Sequence, residues 1–82
     1  MATLQFFGKF ADIVGERETG HKLHAPLSVR ELMEQLAEQI PALRDVFAET
    51  LMQVAVNDSI SSVDHIVSDG DVIAFLPPMS GG

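Results

Sequence analysis

The sequence holds no cysteine. That excludes a disulfide framework, a thiolate metal site and a cysteine nucleophile, and it suits a reducing compartment. Basic side chains are scarce: 5 Lys and Arg stand against 12 Asp and Glu, for a net charge of −7. Nucleic-acid phosphates need clustered Lys and Arg, so no nucleic-acid partner is expected. An acidic surface favours solubility and partners with basic patches. Long apolar runs are missing too. The opening MATLQFFGKF carries no apolar signal region, and nothing approaches the roughly 18 apolar residues of a membrane span. The expectation is a cytoplasmic chain with no membrane partner.

Chemistry-bearing side chains are also few. The glycines are isolated until the end, so no phosphate-cradling loop exists. His21 and His24 lie three apart on an expected strand, which points them to opposite faces, and His65 is distant. No metal site is expected from them. The carboxylates form no distinctive pair, and Ser80 has no base within its motif to activate it. The chain reads as a poor enzyme.

What is present fits one small domain. Eighty-two residues at 46% hydrophobic are globular, and a chain this size buries about 60% of its unfolded surface. Residues 2–7, ATLQFF, alternate as a first strand, with Ala2, Leu4 and Phe6 opposite Thr3, Gln5 and Phe7. FADIVG, residues 10–15, reads as a helical turn closed by Gly15. RETGHKLH, residues 17–24, reads as a second strand broken near Gly20. Ser28-Val29-Arg30-Glu31 is a capping box that opens the main helix. Val29, Leu32, Met33, Leu36 and Ile40 form its apolar stripe, and Pro41 stops it. A short helix is expected within residues 42–50, with Leu43, Val46 and Phe47 inward. MQVAVN, a turn at Asn57-Asp58, and a short strand at residues 59–62 follow. Asp69-Gly70 then turns the chain into a last strand, DVIAFL.

The order β-β-α-β-β predicts an α+β, β-grasp (ubiquitin-like) domain over residues 1–76: a mixed sheet with one main helix packed on one face. The first and last strands then lie side by side at the sheet centre. Leu4, Phe6, Ile73 and Phe75 face the helix. Phe7 and Leu76 fall on the open face, where Ile60 can join them as a partner interface.

Residues 77–82, PPMSGG, are expected to form a flexible C-terminal tail. Pro77 and Pro78 stiffen its start in an extended form. Six residues at 3.1–3.6 Å each reach on the order of 20 Å, enough to cross a partner's rim. Met79, Ser80 and Gly81 thread, and Gly82 enters a narrow site because it has no side chain to clash. The reactive group is then the main-chain carboxylate of Gly82. It becomes an electrophile as an acyl-adenylate, and a sulfur donor can convert that to a thiocarboxylate.

Leu4-Gln5-Phe6-Phe7-Gly8, SVRELMEQLAEQIPAL, VAVND, DGDVIAFLPP and the closing Gly81-Gly82 together resemble the MoaD/ThiS ubiquitin-like family, in particular its MoaD-type sulfur carriers. The resemblance runs over the whole chain. It implies that a ubiquitin-activating-like adenylyltransferase (MoeB-type) uses ATP to adenylate Gly82, and that a sulfur donor protein supplies the sulfur. No cofactor is bound by the carrier itself. The tail then enters a molybdopterin synthase large subunit (MoaE-type) in a heterotetramer, where catalytic side chains belong to that subunit. Two sulfur transfers convert a pterin precursor to the dithiolene of molybdopterin. The family's docking surface maps onto Phe7, Ile60 and Leu76. Met79 departs from the usual aliphatic residue, a mild change. Carriers for thiamine, cysteine or tRNA thiolation share such a tail, as do ubiquitin-like protein modifiers. A plain interaction module, with an inert carboxylate, is a third class.

Overall fold

The computed structural model describes residues 1–48 and 52–78. Five strands form one mixed sheet: β1 (Ala2–Phe6), β2 (Glu18–His21), β4 (Gln53–Val56), β5 (Ser59–Ser61) and β7 (Val72–Leu76), in the order β2-β1-β7-β4-β5. The central pair, β1 and β7, is parallel, with Leu4 opposite Ile73 and Phe6 opposite Phe75. The other pairs in this sheet are antiparallel. A second ladder joins β3 (Leu27–Ser28) to β6 (Ile66–Val67). This ladder lies outside the expected strands. Two residues per strand are too few to show alternation, and the pairing spans the main helix.

Three helices pack on one side among the described residues: α1 (Lys9–Val14), α2 (Val29–Gln39) and α3 (Leu43–Phe47). The expected capping box forms at α2. The Glu31 N–H donates to Ser28 Oγ at 3.1 Å, and the Ser28 N–H donates back to Glu31 Oε1 at 3.1 Å. Each satisfies a donor that the first turn leaves unpaired. Gly15 closes α1 at φ 89°. Asn57 and Asp58, both at positive φ, make the tight turn between β4 and β5.

Val29, Leu32 and Leu36 of α2, Leu43 of α3 and Phe10 of α1 all enter one core with Leu4, Phe6, Val54, Val56, Ile73 and Phe75. Phe47 tilts against both Phe10 and Phe75, at ring-centroid distances of 5.6 and 5.4 Å. The small helices therefore thicken the covered face and leave the other open. The β2 boundary differs from expectation. The strand ends at His21, so His24 lies beyond it, exposed. The chain bends at His24 and Ala25 before Pro26, and a residue preceding proline is restricted in backbone conformation.

Candidate docking face and chain exit

The register assigns the open face row by row, because paired residues of neighbouring strands share a face. One row runs Glu18, Gln5, Ala74, Ala55, Ile60 across all five strands. In the next, Leu76 stands opposite Gln53. Phe7 follows β1 directly, and its N–H donates to the Phe75 carbonyl at 3.2 Å. The parallel ladder thus continues one step and sets Phe7 beside Leu76. Phe7 is 47% exposed and Ile60 60% exposed, while Leu76 is half-buried. The expected trio shares one face, but not one spot. Phe7 and Ile60 are separated by three strand spacings across the sheet, roughly 14 Å, and by one further row along the strands.

Between them lie Ala74 and Ala55, which the expected interface of Phe7, Ile60 and Leu76 did not include. Both are buried on a face that no described helix covers. Their methyl groups sit below the larger side chains around them and make a flat floor. The signal was available: the alternation that exposes Leu76 also brings Ala74 to this face. Ile66, 57% exposed on β6, was not anticipated either.

The exit of the chain adjoins Phe7. Pro77 and Pro78 follow β7 and are half-buried. A Cβ placed on Gly8 would come within 2.9 Å of Pro77 Cγ. Around Phe7 and Gly8 lies a shallow groove that also includes Gln5, Arg17 and Glu18. Met79, Ser80, Gly81 and Gly82 fall outside the described residues.

Side-chain chemistry stays sparse. Among the described residues, no group of three His, Asp or Glu could hold a metal ion, and no helix is long and apolar enough to cross a membrane. One carboxylate stands out. The Ser68 N–H donates to Asp71 Oδ2 at 2.9 Å, and Asn57 Nδ2 donates to Oδ1 at 3.1 Å. The Ser68 bond first, then the Asn57 bond and nearby His65, hold the Asp71 carboxyl below its usual range, against a small opposing effect of burial. Asn57 Oδ1 in turn accepts from the Val72 N–H at 2.9 Å. The group clamps the start of β7, at the opposite end from the chain exit, so its role is structural.

The fold and face define a ubiquitin-like β-grasp domain that sends its last, central strand out beside an open apolar surface. Residues 4–82 match the model of the ThiS family. The chain belongs to the ThiS family. It is 32% identical over 82 residues, the full length of both chains, to the molybdopterin synthase sulfur carrier subunit of Escherichia coli. Its backbone is similar to that of SAMP1 from Haloferax volcanii, with a TM-score of 0.83 and 24% identity over 99% of this chain and 98% of that one. It is also similar to a chain in the complex of subunits 1 and 2 of molybdopterin-converting factor from Helicobacter pylori. There the TM-score is 0.63 and identity 26%, over 99% of this chain and 97% of that one.

Proposed function

We propose that this chain is a sulfur carrier and the small subunit of a molybdopterin synthase, with residues 1–76 as the docking domain and 77–82 as the working tail. The observation that carries the reading is the 32% identity to the Escherichia coli sulfur carrier subunit over 82 residues, the full length of both sequences.

The reacting group in this reading is the Gly82 carboxylate. One of its oxygens attacks the α-phosphorus of ATP on a ubiquitin-activating-like adenylyltransferase, and pyrophosphate leaves. A sulfide-level nucleophile from a sulfur donor protein then attacks the acyl carbon, AMP leaves, and a thiocarboxylate remains. In the synthase its sulfur passes to a pterin precursor, and water restores the carboxylate. Pro77 and Pro78 hold the thread extended, while Met79, Ser80 and Gly81 pass through the partner's channel. Glycine at 81 and 82 lets the backbone take whatever conformation that channel demands.

The large subunit docks on the open face in this reading, against Phe7, Ile60 and Leu76. Burying such side chains is worth roughly 1.5–3 kcal/mol each, which offsets the entropy of ordering the tail. The two-subunit complex containing the Helicobacter pylori chain supports a partner of this kind.

The test is an intact mass after incubation with the adenylyltransferase, ATP and a sulfur source. The expected gain is the mass difference between one sulfur and one oxygen; an unchanged mass overturns the carrier reading. Adding the large subunit and the pterin precursor then tests the pathway through dithiolene formation. A loaded chain that delivers sulfur only to a thiazole, cysteine or tRNA acceptor selects one of the sister pathways. Isopeptide-linked products on lysines select the modifier.

A further inference from the structure

Gly8 occupies a backbone conformation that its surroundings fix from both sides. Its φ of 56° and ψ of −130° are closed to side chains with a Cβ. On one side, the Phe7 N–H is bonded to the Phe75 carbonyl of β7. On the other, the Gly8 carbonyl accepts the Ala11 N–H at 3.1 Å in the first turn of α1, and Phe10 anchors that helix in the core at 0% exposure. Gly8 therefore cannot rotate away without breaking β1–β7 pairing or lifting Phe10.

The bare Cα of this held residue faces the ring of Pro77. Besides the 2.9 Å approach to Cγ, a Cβ there would stand 3.8 Å from Cδ and 3.9 Å from Cβ of the proline. The ring lies over the space that a side chain would fill. Pro77 brings its own restraint. Its φ is fixed, it has no N–H to extend the ladder, and it keeps Leu76 extended. Ring stiffness alone leaves the ψ angles of Leu76 and Pro77 to choose a direction. Contact with an immobile Gly8 removes that choice.

We propose that Gly8 and Pro77 form a steering contact that sets the direction in which the chain leaves the sheet beside Phe7. Gly8 is then a positioning residue that acts through Pro77. The inference rests on the carrier reading only for its consequence: a tail aimed before docking enters a narrow site with less ordering to complete. Productive geometry is sensitive to small displacements, so losing the aim costs on the order of ten- to a hundredfold in turnover. Removing the proline ring costs little in docking, because Pro77→Ala leaves Phe7, Ile60 and Leu76 in place.

The experiment combines a substitution cycle with a distance measurement. Gly8→Ala, Pro77→Ala and the double variant are compared for sulfur loading by the adenylyltransferase, with kcat and KM separated, at a temperature where each is folded by circular dichroism. Both single substitutions are expected to lower kcat at least tenfold, and Pro77→Ala to do so with KM within about threefold. The double variant is expected to be no worse than the poorer single one, because both changes break one contact. Losses that multiply, or single variants that load like the wild type, overturn the steering contact. The absence of cysteine allows clean spin labelling through Glu38→Cys on α2 and Ser80→Cys in the tail. The label-to-label distance distribution is expected to broaden in both single variants. An unchanged distribution overturns the proposal. If the wild type gains no sulfur at all, the carrier reading fails, and the label distances still decide the contact.

Discussion

The rings of Phe6 and Phe75 stack across the central parallel pair, with centroids 5.5 Å apart and planes 15° from parallel. Each ring is followed in sequence by a side chain on the other face: Phe7 after Phe6, and Leu76 after Phe75. The stack thus ties the core to the open face by a single step of strand alternation. Phe75 is fully buried and also meets Phe47. Phe75→Ala should destabilise the domain by about 3–5 kcal/mol. For a chain this small that lowers Tm by roughly 15 °C or more. Calorimetry checks it, and a shift of only a few degrees would show that the stack is not central to the core.

Phe7→Ala should behave differently from Phe75→Ala despite standing on the same ladder. Its ring is half outside the molecule and no described helix covers it, so folding stability should change by less than about 0.5 kcal/mol. Large-subunit affinity should fall about tenfold, the equivalent of roughly 1.4 kcal/mol of lost burial. Titration calorimetry beside thermal melts separates the two quantities. A large drop in Tm with unchanged affinity would reverse the assignment of the faces.

Asp71 links stability to acid. Its folded-state pKa lies below the ordinary carboxylate value of 3.8, so the folded state holds the charged form more strongly than the unfolded chain does. The resulting stability is fully present above that ordinary value and is lost as pH falls through it towards the folded-state pKa. Asp71→Asn should therefore flatten the decline of stability below about pH 4 and lower stability at neutral pH. Denaturant melts across that range measure both effects. An unchanged acid limb would mean that other carboxylates carry it.

Removal of Gly82 should abolish sulfur loading and leave folding intact. Among the described residues, the buried core ends at Phe75. Intact mass and a thermal melt on the same sample test both halves. A shortened chain that still takes up sulfur would contradict the assignment of Gly82.

Much of the fold was legible because its signals are local. The capping box at Ser28 and Glu31 needs only spacing along one turn. The Asn57-Asp58 turn needs only two residues that tolerate positive φ. The inward set Leu4, Phe6, Ile73 and Phe75 follows from alternation, once the strands are placed. The ladder of Leu27 and Ser28 with Ile66 and Val67 was not legible, because two-residue strands carry no period. The strand expected to reach His24 ends at His21, since composition alone marks boundaries poorly.

The five strands of the main sheet, the main helix and its inward apolar stripe follow from the sequence alone, because each depends on neighbours within a turn or a strand. Contacts between distant segments follow only from long-range strand pairing. It placed Ala74 and Ala55 as the floor between Phe7 and Ile60, which depends on register across the sheet. It also set Gly8 beneath Pro77, sixty-nine positions apart in sequence. That contact exists only because parallel pairing of β1 and β7 brings both strand ends to the same edge of the sheet.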